Sequence, residues 1–298
     1  MAFQVSPGVQ VREIDQTNTV PAVSASIGAY AGTFNWGPIE RIVQVSSEKE
    51  LINNFGRPTQ TASNNNQASF FTAASFLKYG NALNVVRATS SGAKNATTGS
   101  AGMLIKNRLA YDMGVTISGT SQEFAAKYAG ALGNSLKISI CPSGDAFDGW
   151  DTGLASGISY TSLLTAAPGT SDSAAAVGAS NDELHIVVVD EDGLFTGVQG
   201  QVLEKFAFVS QAKDARKADG TSNYYVNVLN ETSKYIWWLG HPDILADAGK
   251  TLVYSGSPVN FAADSTNVKW DASLSHGVDT APSDRKSTRL NSSHIPLS

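Results

Sequence analysis

The chain is poor in the residues that most site chemistry draws on. It carries one cysteine and four histidines in 298 residues. A lone cysteine cannot close an internal disulfide. Cys141 ends the apolar run Leu136–Cys141 and reads as a small buried hydrophobe, not a nucleophile. His185, His241, His276 and His294 form no His-x-x-x-His pair, and none has a partner at metal-ligand spacing. His185, within an apolar run, reads as structural, and His241 before Pro242 as a packing or capping residue. No glycine-rich phosphate loop and no Gly-x-Ser-x-Gly elbow follows any strand pattern. The densest acidic cluster, Asp190-Glu191-Asp192-Gly193, lacks the further oxygen ligands of a calcium loop at Phe195, Gly197 and Gln199, so it reads as a turn. No catalytic residue, metal or cofactor is expected.

Charge is scarce too. Charged residues make up 16% of the chain, against about a quarter in ordinary domains, with a net charge of −5. No Lys/Arg cluster stands out before residue 284, which argues against a nucleic-acid partner. No apolar run is long enough to span a bilayer, and the start has no basic region followed by an apolar core. Neither membrane insertion nor a secretory leader is expected; synthesis in a cytoplasm is.

Hydrophobic residues at 42% leave ample material for a core. The patterning predicts a mixed α/β (α+β) chain: an extended arm over 1–20, a small sheet-plus-helix domain over 21–90, a linker or reduced protruding segment over 91–126, a second β-rich mixed domain over 127–242, and an irregular stretch over 243–283. In the arm, Ser6-Pro7-Gly8 is a turn signal, and Val9, Val11 and Glu13 alternate with Gln10, Arg12 and Ile14 as a short strand with no hairpin partner nearby. Ser26–Phe34 is expected to be a central strand, followed by strands at Arg41–Val45 and Leu83–Arg87. Ser47-x-x-Glu50 is a capping box opening a helix that Gly56 and Pro58 close. Asn66–Tyr79 is the clearer helix, with Phe70, Phe71, Ala74 and Leu77 at helical spacing.

In the second domain, Leu136–Cys141 and Leu184–Val189 are the best strands. A turn at Asp190–Gly193 is expected to lead into a strand through Phe195 and Thr196. Leu203, Phe206 and Val209 predict an amphipathic helix over Val202–Ala215, and Tyr224–Leu229 and Lys234–Trp238 read as strands. The Gly/Ser/Ala-rich stretch 143–181 is expected to be loops. Tyr235-Ile236-Trp237-Trp238 is apolar on both faces of a strand, as in a sheet covered on both sides; an interface anchor is the other reading.

Several motifs occur in a fixed order. Ser6-Pro7-Gly8-Val9-x-Val11-x-Glu13 is followed by Trp36-Gly37-Pro38, Phe55-Gly56-x-Pro58, Tyr79-Gly80-Asn81 and the strand ending in Arg87, then by Lys127-Tyr128-x-Gly130. Together they resemble the N-terminal region of contractile phage tail sheath proteins of the T4-like myophages. The resemblance implies a virion structural subunit with no enzymatic activity. Such subunits stack as hexameric rings around a tail tube, between baseplate and tail terminator proteins, and contract to drive the tube through the host envelope during genome ejection. It also gives Val9–Ile14 a role in strand exchange between subunits, and synthesis in the host cytoplasm.

The sequence departs from the family in two respects. The segment after Arg87 is short beside the protruding domain of the T4-type subunit, and the family's C-terminal domain is expected to be missing. Asp284–His294 back-translates to a string resembling a sequencing-library adapter, so 284–298 is expected to be a non-native tail on a truncated fragment. The alternative function is a secreted carbohydrate-binding or hydrolytic surface protein, which the Gly/Ser/Asn-rich composition and Trp237-Trp238 suggest.

Overall fold

A computed structural model describes residues 27–59, 66–115, 122–150, 159–261 and 268–280. The arm, with Ser6–Gly8 and Val9–Ile14, and the tail at 284–298 lie outside the described residues.

Leu83, Val85 and Arg87 alternate with Asn84 and Val86, and all three of the first set are buried. That alternation makes β3 (Leu83–Arg87) the middle strand of a three-stranded sheet, ordered β1-β3-β2 with β1 (Gly28–Gly32) and β2 (Ile42–Val45). The strand expected at the centre, β1, is instead an edge. Its glycines and alanines bury little, while β3 supplies the larger side chains. β1 runs parallel to β3 and β2 antiparallel. Two helices cover the sheet: α1 (Glu48–Phe55) and α2 (Gln67–Leu77). The capping box forms with a one-residue offset. Ser47 Oγ accepts from Glu50 N, and the Glu50 carboxylate reaches back to Ser46 N and Oγ. Leu51 and Phe55 from α1 and Phe70, Ala73 and Ala74 from α2 close a core over Val45, Leu83 and Val85.

After the short α3 (Arg108–Asp112), the body is a four-stranded antiparallel sheet ordered β11-β5-β6-β7. Its strands are β5 (Leu136–Cys141), β6 (Glu183–Asp190), β7 (Gln201–Ser210) and β11 (Trp270–Ser273), which lies within the stretch expected to be irregular. β11 pairs Trp270 with Ile140 and Ala272 with Ile138. β5 and β6 are buried on both faces because both are covered, with β5 apolar on the Leu136–Ile138–Ile140 face and carrying Ser139 on the other. On one face Ile138, Ile140, Ile186 and Val188 meet α6 (Tyr225–Thr232) and the two-stranded sheet of β4 (Phe124–Ala126) and β8 (Ile236–Trp238). On the other face Cys141, Val187 and Val189 meet Trp150 and Tyr160. Within the 143–181 stretch expected as loops, α4 (Gly144–Phe147), Trp150 and Tyr160 supply this second cover, while α5 (Asp172–Ala175) packs Ala174 against Ala212, Ala215, Leu252 and Phe261. A small ribbon, β9 (Val253–Tyr254) and β10 (Ser257–Pro258), lies at the surface. Within 91–126, Asn95, Ala96, Thr97, Met103 and Ile105 are buried and β4 pairs with β8.

Two expected elements exchange type. The Leu203/Phe206/Val209 spacing comes from a strand, not a helix. β7 carries two register shifts against β6, at Leu184/Ile186 and Val188/Val189. Each inserts an extra residue in β7, so same-side positions fall three apart and mimic a helical period. Phe208, at the first shift, has φ 53°. Its N–H donates to His185 Nδ1 at 3.0 Å, while His185 Nε2 lies 3.0 Å from the Ala166 carbonyl. That pair of contacts fixes a neutral imidazole protonated on Nε2, and burial holds its pKa below the ordinary value. Conversely, Tyr224–Leu229 forms most of α6. Tyr225, Val226 and Leu229 share one buried helical face, so packing overrides the strand preference of aromatic and β-branched residues. The strand expected through Phe195 and Thr196 starts at Gln201 instead. Residues 191–200 form a loop gathered by buried Asp190, whose Oδ2 accepts from Phe195 N, Thr196 N and Thr196 Oγ1 and whose Oδ1 accepts from Ser135 Oγ.

Candidate functional site

Trp36, Gly37, Phe55, Gly56 and Arg87 of the first-domain motifs converge on one seam, whereas Tyr79, Gly80 and Asn81 lie before the opposite end of β3. Trp36 follows the end of β1, and its N–H donates to the Phe55 carbonyl at 3.1 Å, tying the loop to the end of α1. Gly37 has φ 99°, and a Cβ there would come within 2.8 Å of Asn54 O, so the turn admits only glycine without rearrangement. Pro38 leads into Ile39, which bridges Arg87 at the end of β3. Gly56 (φ 79°) caps α1 through its N–H to Ile52 O, with Pro58 two residues on. Gly80 lies against the Phe76 ring, where a Cβ would approach to 2.7 Å, and Asn81 leads from it into β3. Tyr79 is 96% exposed.

Arg87 closes the seam. Its side chain is 1% exposed, yet it is fully engaged. Nε donates to Phe34 O at 2.8 Å and an Nη to Gly37 O at 3.0 Å, while the other Nη faces Asp279 Oδ1 at 3.5 Å. Asp279 Oδ2 accepts from Ala131 N at 3.0 Å. Burial lowers the guanidinium pKa to about 10, with Asp279 opposing, so the group stays charged at neutral pH. One side chain therefore holds the Phe34–Gly37 turn, the end of β3 and the strap after β11 together. The strap continues this fastening: Ser275 pairs with Thr97, Val278 with Lys94, and Gly277 with Asn134. Trp36 packs edge-on to Tyr128 and Phe195, which joins the two cores.

Sequence reasoning found Arg87 and Trp36 but not Asp279, whose role depends on a contact 192 residues away in sequence. It also missed a second cluster. Trp237, 1% exposed, stacks on Tyr111 at 4.3 Å between ring centroids. The Lys127 ammonium sits 3.3 Å from the Trp237 centroid. A ring stacked that closely leaves the ammonium only the opposite face. Burial first, then nearby Arg108, push the Lys127 pKa down to about 7; the indole face favours the cation and opposes them. Trp238 is half-buried, its Nε1 donating to Tyr225 Oη at 3.3 Å and its ring lying 5.0 Å from the His241 ring. Cys141 is buried, its thiol pKa pushed up to about 12. Among the described residues no cluster of three or more His, Cys, Asp or Glu side chains could hold a metal ion, and no helix is long and apolar enough to cross a membrane.

The arrangement is one of fastened joints between the turn, the end of β3 and the strap. Residues 26–88 match the family described as "Tail sheath protein Gp18 domain III N-terminal region". This part of the chain is similar to phage tail sheath proteins. A tail sheath protein of Salmonella phage ViI is 32% identical over 204 residues, covering 67% of this chain and 28% of the relative. The tail sheath protein of Enterobacteria phage T4 is 43% identical over 84 residues, covering 28% of this chain and 12% of the relative. The chain thus spans under a third of the length of these curated relatives. A crystal structure of a sheath tail protein from Desulfitobacterium hafniense aligns over 93% of this chain and 40% of its own, at 12% identity and a TM-score of 0.38.

Proposed function

We propose that this chain serves as a structural, non-enzymatic component of a contractile phage tail sheath. The observation that carries the reading is the family match over 26–88, which includes the motif residues of the seam around Arg87. In this reading copies assemble as hexameric rings on a tail tube, bounded by baseplate and tail terminator proteins. Contraction of that lattice drives the tube through the host envelope. Assembly follows synthesis in the host cytoplasm. Rigid joints within each body suit such a machine, because the movement then falls on contacts between bodies.

The arm segment Val9–Ile14 adds a strand to a neighbouring copy, its alternating pattern matching edge addition. Proline at Val9 and Val11 removes two ladder donors and is expected to abolish that link while leaving the body folded. Antibodies raised against the chain are expected to decorate purified particles along the whole tail shaft in negative-stain images. Labelling confined to the capsid or fibres, or absent from the shaft, refutes the assignment.

A further inference from the structure

A cleft of about 770 Å³ opens where the α1 end, the loop after β6 and the loop between α6 and β8 meet. Its basic lining comprises Arg57, Arg108, Lys127 and Lys234, against the single acid Glu231, in a chain whose net charge is −5. Lys127 decides its chemistry. The residue is 8% exposed, and among the described residues its ammonium makes no ion pair or hydrogen bond; its close contact is the Trp237 face. The nearest acids are occupied elsewhere. Glu204 accepts from Ser233 Oγ and Lys234 N, and Asp112 binds Arg108. An ammonium buried this deeply without an anion is costly, and a carboxylate entering the cleft would relieve that cost.

The cleft is far larger than a single small anion, and half-buried Tyr128, Tyr235 and Phe195 supply apolar surface beside the charges. We infer that this cleft binds an acidic polypeptide segment, one carboxylate docking beside Lys127 and neighbouring apolar side chains lying on these rings. The inference does not depend on membership of a sheath.

The test titrates the 298-residue chain with an acetylated, amidated peptide alternating valine and glutamate, read by tryptophan fluorescence from Trp36 and Trp237 and by calorimetry. Saturable binding is expected, with an affinity loss of at least ~10-fold for Lys127→Met, the scale of one charge-assisted hydrogen bond. Lys234→Gln, at an exposed rim position, is expected to lose about 3-fold, as a screened surface charge does; it keeps the test decisive if Lys127→Met does not fold by circular dichroism. Absence of saturable binding overturns the inference. So does equal binding of the valine–glutamine peptide, unchanged affinity in the folded variants, or complete displacement by millimolar inorganic phosphate, which would mark a simple anion site.

Discussion

Replacing Arg87 by methionine tests whether the seam is held as described. The variant keeps an apolar stem of similar reach but removes every donor. Two buried carbonyls, Phe34 O and Gly37 O, lose partners now at 2.8 and 3.0 Å. Each unsatisfied buried acceptor costs about 1–3 kcal/mol. The contact to Asp279 adds little, since it is long at 3.5 Å and Asp279 is 15% exposed and keeps Ala131 N. The expected loss for Arg87→Met is therefore ~3–4 kcal/mol, a large part of a typical 5–15 kcal/mol stability. Arg87→Lys retains the charge but not the fork, and should lose ~2 kcal/mol. Asp279→Asn should lose about 1 kcal/mol. Urea unfolding followed by tryptophan fluorescence gives the three values, and hydrogen exchange should show faster exchange of the Trp36 and Gly37 amides in Arg87→Met. A value for Arg87→Met within ~0.5 kcal/mol of the parent, or an Asp279→Asn loss exceeding it, would refute the assignment of the seam to the arginine–carbonyl bonds.

Gly193→Ala places a Cβ at φ 76° within 2.8 Å of Gln199 N, and should lower stability by about 2 kcal/mol in the same urea assay. Asp190→Ala frees Phe195 N and Thr196 N and should cost ~3 kcal/mol, with faster exchange confined to 191–200. His185 has its folded pKa lowered by burial, so the unfolded chain binds more protons in acid and stability should fall as pH drops through the ordinary value of 6.5; His185→Gln should flatten that slope. Lys127, lowered to about 7 against an ordinary 10.5, has the same sign in a higher window: stability should rise with pH from 7 towards 10.5. Lys127→Met should abolish that rise in thermal melts, and an unchanged rise would assign it to other groups.

The sequence alone determined the elements whose apolar period is uninterrupted. β3, β5, β6, α1 and α2 were legible because one or both faces repeat cleanly, and the glycines of the Gly37 and Gly56 turns are demanded by backbone geometry that no other residue fits easily. Trp36 and Arg87 stood out within the ordered motif set. What only tertiary structure decided were relations between distant parts. The period-three pattern of β7 is a strand because bulges against β6 shift its register, and α6 is a helix because its Tyr225–Val226–Leu229 face meets a sheet. Within the Gly/Ser/Ala-rich stretch 143–181, Trp150 and Tyr160 became a cover because they found the open face of β5 and β6. Asp279 carries no local signal, and the motif that opens on Lys127 does not show what its ammonium meets, since a charged side chain's meaning lies in its partners: Arg87 for one, the Trp237 face for the other.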